Sequence, residues 1–208
     1  MRVLGVLAGE VIESHALAEW ARGAEVLVAA DGGANRLVEM GIVPDYAVGD
    51  FDSISEGAKS VARELVPVED QEYSDCDKLL QFVQGKGWNA VTLIGAEGSR
   101  IDHMLGILRS AARAGIEVAI AYRRQFGRIL RGPYQRTFEL SGLFSLLPID
   151  TCRGVTLRGV RWPLEGVEFG RGSMGSLSNE GLGTIEVTID EGTAILLYDY
   201  DGKPIWTN

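Results

Sequence analysis

Carboxylate side chains recur just past the apolar runs in the first half of the sequence. They are Asp31, Asp50, Asp52, Asp75 and Asp102. If the runs are parallel strands, their carboxyl ends meet at one edge of a sheet, where ligands bind in such folds. Repulsion among gathered carboxylates calls for a cation, and hard oxygen ligands suit Mg²⁺, which usually works with substrate phosphates. The spacing therefore predicts a site for magnesium and phosphate.

Each carboxylate also has an ordinary structural interpretation. Asp31, followed by two glycines, fits a plain turn, and Asp50 and Asp52 fit caps for the next helix. Ser74 and Asp77 have the spacing of a capping box, and the helix dipole favours a carboxylate in any first turn. For a single residue the structural interpretation is the better one. Four separate acidic loops on one edge favour the metal site.

A possible phosphate loop surrounds Asp102. Arg100 and His103 flank it where a glycine-containing loop opens a predicted helix, and backbone N–H groups with an arginine fork hold phosphate oxygens well. His103 also fits an ordinary helix-face residue. The segment Gly170–Gly175 satisfies GxGxxG, but it lies between short predicted strands, so its glycines are interpreted as turn formers.

The elements that must position these residues alternate up to about residue 123. Apolar runs predict strands at Val3–Ala8, Val26–Ala30, Tyr46–Val48, Leu65–Val68, Val91–Ile94 and Val118–Ala121. Amphipathic segments predict helices at His15–Arg22, Ala34–Met40, Glu56–Leu65, Asp75–Gln84 and Asp102–Arg113. This alternation indicates an α/β/α domain built on a parallel sheet.

The second half has frequent glycines and short apolar runs in place of helical patterns. Thr184–Ile189 alternates at period two, which is typical of a strand with one buried face. We therefore predict a small antiparallel β-sandwich. The expected domains are residues 1–124 and 133–208, with residues 125–132 as the join.

Composition narrows the function classes. The net charge of −9 disfavours binding to nucleic acid or to an anionic membrane, because both attract a basic surface. No apolar run approaches the roughly 18 residues that span a bilayer, and the N-terminus fits a first strand better than a signal peptide. The two cysteines form no disulfide framework. A cytoplasmic protein is expected.

Four segments in order resemble the successive signatures of the thiamine pyrophosphokinase family. They are Ala30–Asn35, Pro44–Ser53, Asp70–Asp75 and Gly95–His103. In the second half, Val160–Leu164 and Ser176–Asn179 resemble the thiamine-binding part of that family. The resemblance covers nearly the whole chain.

The resemblance implies an α/β domain followed by a β-sandwich, acting as a homodimer with thiamine at the dimer interface. It implies transfer of pyrophosphate from ATP to the hydroxyl of thiamine, with Mg²⁺, giving thiamine diphosphate and AMP. The implied metal ligands are Asp50, Asp52 and Asp75. The implied catalytic residues are Asp50, Asp75, Arg100 and Asp102. The implied residues for ATP and thiamine are Asp31, Asn35, Gln71, Ser74, Arg100, His103, Trp162, Ser176, Ser178 and Asn179.

Two other functions stay open at this point. A pyrophosphokinase acting on a pterin alcohol would keep the carboxylates and change the acceptor pocket. A non-catalytic nucleotide-sensing module would keep the fold. The intact set of Asp50, Asp52 and Asp75 argues against the sensing module, because sensing needs no full set of metal ligands.

Overall fold

The computed structural model describes residues 1–9, 14–98 and 100–206. The chain divides into two compact units. The first comprises Met1–Arg124 and the described residues from Asp201 onward, and the second comprises Gln125–Tyr200. The C-terminal segment therefore belongs to the first unit, although the sequence analysis assigned it to the second domain. There, Trp206 packs edge-on against buried Trp20, with ring centroids 5.1 Å apart.

The first unit alternates strands and helices along the chain. Its elements are β1 (Val3–Val6), α1 (Ser14–Gly23), β2 (Val26–Ala30), α2 (Gly33–Glu39), β3 (Tyr46–Gly49), α3 (Glu56–Val61), β4 (Glu64–Pro67), α4 (Asp75–Gly85), β5 (Ala90–Ile94), α5 (Ile101–Arg113) and β6 (Glu117–Ala121). The strands pair in the order β6-β5-β1-β2-β3-β4, and every described pair is parallel. The parallel sheet predicted from the apolar runs is confirmed.

Continuous apolar runs explain why the middle of this sheet is buried. All four residues of β1 are buried, as are the last four of both β2 and β5. Strands covered on both faces need apolar residues at every position, which is the pattern that the sequence shows. β4 at the sheet edge is largely exposed, so its apolar run is weaker.

Helix α3 is shorter than predicted. It ends at Val61, because Ala62 leaves the helical region with ψ of 136°, and Leu65 lies in β4. The predicted helix to Leu65 overlapped the predicted strand that begins there, and the strand takes the residue through parallel pairing with Ala47 of β3. Long-range pairing thus decides a boundary that local propensity leaves open.

The second unit is built of strands. They are β7 (Gln125–Arg131), β8 (Tyr134–Pro148), β9 (Cys152–Val160), β10 (Leu164–Phe169), β11 (Ser176–Ile189) and β12 (Thr193–Asp199). They pair antiparallel in the order β10-β9-β11-β8-β12-β7. The segment that the sequence analysis treated as a join therefore contains a strand, β7. The antiparallel, β-rich character is confirmed, whereas separation into the two layers of a sandwich is not.

The core of the second unit shows the expected alternation. Ile185, Val187 and Ile189 of β11 are fully buried, and the residues between them are half-buried. The GxGxxG segment connects β10 to β11, with positive φ at Gly172 and Gly175. Its glycines thus serve a turn between two strands, as the sequence context predicts.

Among the described helices, none is both long and apolar enough to cross a membrane.

Candidate functional site

A cavity of about 680 Å³ opens at the carboxyl end of the parallel sheet in the first unit. It lies where the strand order reverses: the chain leaves β1 towards β2 and later returns to β5 on the other side of β1. The segments after these two strands, Leu7–Gly9 and Gly95–Gly98, both line it. Open α/β sheets bind ligands in this crevice. The cavity therefore lies at the edge of the sheet where the sequence predicts a site.

The two segments approach each other closely at Gly9. Its N–H donates to the carbonyl of Gly95 at 3.0 Å. A Cβ placed there would lie 2.3 Å from the carbonyl oxygens of Gly95 and Glu97, so a side chain at position 9 would push the cavity wall apart.

Asp31 lies completely buried at the end of β2 and holds the loop that follows β3. One of its carboxylate oxygens accepts from the N–H of Phe51 at 3.0 Å and the other from Ser53 at 3.1 Å. Both Asp31 and Phe51 have left-handed backbone conformations, with φ of 42° and 65°. Such strain in residues other than glycine is typical of functional sites. Burial, together with a hydrogen bond to Asp50, raises the pKa of Asp31 to about 6.

Asp50 is the most heavily contacted carboxylate of this loop. Its Oδ2 accepts from Lys78 Nζ at 2.8 Å and from Gln71 Nε2 at 2.9 Å. The hydrogen bond from Lys78 holds the pKa of Asp50 well below its usual range. Asp50 is therefore ionised at neutral pH, and its Oδ1, 3.4 Å from the N–H of Asp52, is the candidate ligand atom.

Helix α4 supplies the second part of the cavity wall. Ser74 is its N-cap, and the Ser74 hydroxyl accepts from the N–H of Asp77 at 3.2 Å. The Asp77 carboxylate accepts in turn from the N–H of Ser74 at 3.2 Å, which completes the predicted capping box. This cap fixes Asp75 at the first helical position, where it lines the cavity with its side chain half-exposed. Burial raises the pKa of Asp75.

The donor set suits a hard divalent cation. Ligand atoms of Asp31, Asp50 and Asp52 lie within 4.8 Å of one another. Carboxylate oxygens at this spacing fit Mg²⁺, which keeps waters and substrate phosphates as its other ligands. Asp75 borders the same space but is not part of that close group. We call Asp31, Asp50, Asp52 and Asp75 the acidic cluster.

The structure rules out one of the simpler interpretations of these carboxylates. Helix α3 is capped by Ser55, whose Oγ accepts from Ala58 N–H at 3.2 Å, so Asp50 and Asp52 do not cap it. Asp52 instead lines the cavity beside Ser53, which donates to it at 2.7 Å.

The predicted phosphate loop opens α5. Arg100 and His103 line the cavity, while Asp102 lies outside the described lining. The Arg100 guanidinium donates to both oxygens of Asp102, at 3.2 Å and 2.5 Å, and this pair holds the pKa of Asp102 at about 2. Both side chains are largely exposed. The guanidinium of Arg100 is thus solvent-exposed at the start of α5 and paired with Asp102.

Asn35 has a positioning role in this geometry. Its Nδ2 donates to the carbonyl of Ser53 at 2.9 Å, and its Oδ1 accepts from the N–H of Ser55 at 2.8 Å. The residue lies outside the described cavity lining. Asn35 therefore holds the far end of the loop whose near end is held by Asp31.

The second unit presents a different kind of surface, around Trp162. This side chain is 53% exposed, so it is not the ordinary core tryptophan that a β domain also permits. Its backbone N–H and carbonyl are bound by the amide of buried Asn179 at 3.2 Å and 2.9 Å. Asn179 also donates to Ser176 Oγ at 2.8 Å. Ser178 has a φ of 53°, and its backbone N–H donates to Ser145 Oγ. We call Trp162, Ser176, Ser178 and Asn179 the tryptophan surface.

Two charged residues that line the cavity, Lys78 and Arg36, are not among those expected from the sequence. Lys78 is the most consequential, because it is a buried cation within the acidic cluster. A signal existed: Lys78 lies three residues after Asp75, a spacing that places both side chains on one helix face. Arg36 carries no pattern that separates it from a surface residue.

Comparison with known proteins agrees with both halves of this description. Residues 17–120 match the family model of the thiamin pyrophosphokinase catalytic domain. Residues 135–194 match that of the thiamin pyrophosphokinase vitamin B1 binding domain. Together the two models cover most of both units.

Individual relatives point the same way. Thiamine pyrophosphokinase of Bacillus subtilis is 26% identical over 164 residues, which cover 74% of this chain and 77% of the relative. The crystal structure of thiamine pyrophosphokinase from Bacillus subtilis superposes with a TM-score of 0.79 at 22% identity, covering 96% of this chain and 99% of that one. Thiamin pyrophosphokinase from Candida albicans gives a TM-score of 0.78 at 19% identity, covering 96% and 89%. These structural likenesses show the shared fold.

Proposed function

The chain belongs to the thiamine pyrophosphokinase family and is an ATP-dependent pyrophosphoryl transferase, and we propose that the acidic cluster of its first unit carries the transfer. The reaction moves the terminal two phosphoryl groups of ATP to the hydroxyl of thiamine. The bond from the thiamine oxygen to the β-phosphorus forms while the bond from that phosphorus to the oxygen that bridges it to the α-phosphorus breaks. AMP leaves with the electron pair.

The chain's contribution to this chemistry is mainly charge and position. Phosphoryl transfer needs the charge of the triphosphate neutralised and the attacking hydroxyl placed in line. Asp50 and Asp52 would hold Mg²⁺, with Asp75 bordering it, and the bound ion would neutralise phosphate oxygens. Asp31 and Asn35 fix the loop that carries the two ligands.

The acceptor hydroxyl needs a base. Asp75 lines the cavity, and its raised pKa suits proton uptake better than the strongly acidic Asp50 does. We assign Asp75 to accept the hydroxyl proton. Arg100 would exchange Asp102 for the γ-phosphate, which leaves as part of the pyrophosphoryl group.

Thiamine recognition is assigned to the tryptophan surface. Thiamine is a cation, and an exposed indole face attracts cations. Arg161 lies over the Trp162 ring, with its guanidinium carbon 5.0 Å from the ring centroid, and this contact supports a role of the ring in cation binding. The anionic net charge of the protein favours the same ligand.

A homodimer is part of the proposal. Five large apolar side chains of the second unit are more than half exposed: Leu143, Trp162, Met174, Leu177 and Leu182. Exposed apolar residues of this size favour burial against another protein surface. We propose that a second copy of the chain covers them and that thiamine binds there.

The observation that carries the function is the hydrogen-bonded carboxylate set, anchored by completely buried Asp31, at the switch point of the sheet. An acceptor panel with ATP and Mg²⁺ tests it. Thiamine should give thiamine diphosphate, and a hydroxymethyl pterin should give no product. Product with the pterin and none with thiamine would mean that the enzyme acts on the alternative acceptor. The absence of product with both acceptors would favour a sensing module.

Subunit mixing tests the shared site. Trp162→Ala and Asp75→Asn should each be nearly inactive at low thiamine concentration. If sites are completed by two subunits, mixed dimers contain one intact site and recover part of the activity. A mixture that stays inactive, while labelled subunits demonstrably exchange, would exclude a shared site.

A further inference from the structure

Lys78 is a buried cation inside the acidic cluster. Its side chain is only 2% exposed, and it emerges from helix α4 beneath the cavity. Nζ lies 2.8 Å from Asp50 Oδ2 and 4.0 Å from Asp75 Oδ1. A lysine so enclosed persists only when paired, since removing an ammonium ion from water costs several kcal/mol.

The charges that face Lys78 come from three different elements. Asp31 follows β2, Asp50 follows β3, and Asp75 opens α4; the electrostatic influence of all three reaches the ammonium group. These are the carboxylates around the proposed Mg²⁺ position. In the protein without metal or nucleotide, the ammonium ion of Lys78 therefore supplies part of the positive charge that a divalent ion would bring.

The hydrogen bonding of Asp50 limits how it can bind metal. Lys78 and Gln71 both donate to Oδ2 at under 3 Å, whereas Oδ1 accepts a longer contact of 3.4 Å from the N–H of Asp52, so Oδ1 is the less engaged oxygen for an incoming ion. A divalent ion entering without nucleotide meets a nearby positive charge and a carboxylate with one oxygen already engaged. An ion entering with ATP brings phosphate oxygens that replace the missing ligands.

We propose that Lys78 is a resident counter-ion that keeps divalent metal from binding tightly to the acidic cluster until nucleotide phosphates arrive. It thus couples metal binding to nucleotide binding while it keeps Oδ2 of Asp50 hydrogen-bonded. This inference rests on the proposed metal role of Asp50 and Asp52. It makes Lys78 a positioning residue, because it acts through Asp50.

Binding of Mn²⁺ to the nucleotide-free protein, followed by the electron paramagnetic resonance of the free ion, tests this. Lys78→Met removes the charge at similar length, and Lys78→Gln also keeps an N–H donor for Asp50. Both should bind Mn²⁺ at least about 10-fold more tightly than the wild type, because a like charge is gone. Lys203→Met, which removes an exposed lysine paired with Asp201, should leave Mn²⁺ affinity unchanged.

The outcomes separate this inference from the proposed function. A wild type that fails to bind Mn²⁺ even with a non-hydrolysable ATP analogue would overturn the metal role of the cluster. Analogue-dependent binding in the wild type, with no gain in nucleotide-free Lys78→Met and Lys78→Gln, would overturn the role of Lys78 alone. Added Mn²⁺ should also raise the unfolding temperature of both neutral variants more than that of the wild type. Failure of both to fold with Mn²⁺ present would contradict a counter-ion that metal can replace.

Discussion

The acidic cluster and the tryptophan surface solve different binding problems with opposite designs. Asp31 and Asp50 are bound by backbone N–H groups, an amide and a buried ammonium ion before any ligand arrives. Trp162 has its backbone fixed by Asn179, while its ring is more than half exposed. Charge stabilisation works best with groups already in place. Recognition of a flat organic cation needs an open aromatic face.

Backbone strain marks both regions. In the part of the chain that the structure describes, the residues other than glycine with left-handed φ are Asp31, Phe51 and Ser178. Two lie at the acidic cluster and one at the tryptophan surface. Such conformations persist only where surrounding contacts enforce them. The contacts differ, however. A buried carboxylate holds the loop in the first unit, whereas in the second Ser178 lies at an irregularity of the β11–β8 pairing and its N–H donates to Ser145 Oγ.

The largest effect is expected from Asp50→Asn. The change removes a ligand charge and leaves buried Lys78 without its anion, so kcat should fall by about 10³-fold. Asp45→Asn is the matched control, because Asp45 precedes the same strand and binds Leu27 N–H and Arg63 away from the site. Steady-state kinetics with thiamine and ATP measure both. An equal fall in kcat in both variants would contradict the placement of the active site at the carboxyl end of β3.

Trp162→Ala should act on thiamine affinity and leave the chemistry largely unchanged. We expect KM for thiamine to rise about 10- to 100-fold, because the cation loses an aromatic face. KM for ATP should change little. Trp162→Phe keeps a ring and should recover most of the affinity. A loss confined to kcat, with the KM for thiamine unchanged, would show that Trp162 contributes to the transfer step and not to thiamine binding.

Asn179→Ala should lower stability by about 1–3 kcal/mol, because it leaves backbone groups of the Trp162 segment and the Ser176 hydroxyl without their buried partner. Ser176→Ala removes a single one of these bonds and should cost less. Urea unfolding gives both values. An unaltered midpoint for Asn179→Ala would mean that the tryptophan surface needs no internal support.

The smallest expected effect is the reactivity of the two cysteine thiols, one of which lies in each unit. Burial raises the pKa of Cys76 in the first unit to about 12 and of Cys152 in the second to about 11. Both are neutral thiols at pH 8 and should react slowly with a disulfide reagent until denaturant is added. Since unfolded thiols ionise near pH 9, stability should decrease as pH rises above that value. Rapid labelling of native Cys76 would show that the cavity wall opens locally.

Much of the first unit follows from local sequence. Continuous apolar runs predict buried parallel strands, and the carboxylates after them lie at the carboxyl edge because strand direction requires it. Ser74 could be identified as a helix cap because the capping box is a local pattern. The partners of Asp31 and Asn35 are harder to predict from the sequence, because both side chains bind backbone groups some 20 residues away.

The remainder depends on long-range contacts. In the sequence Lys78 has the pattern of an ordinary helix lysine, and only the folded structure places it against Asp50, 28 residues away. Strand β7 looked like a join because its charged residues and glycine obscure the strand pattern, and pairing with β12 defines it. The end of α3 was likewise set by strand pairing. Such interactions leave little trace in a single sequence.

The nucleotide released during turnover tests the central claim most directly. The products of ATP and thiamine can be followed by phosphorus NMR as they form. Attack at the β-phosphorus within the acidic cluster predicts AMP and thiamine diphosphate in equal amounts, with no thiamine monophosphate intermediate. Accumulation of ADP in step with thiamine monophosphate would show attack at the γ-phosphorus and contradict the account.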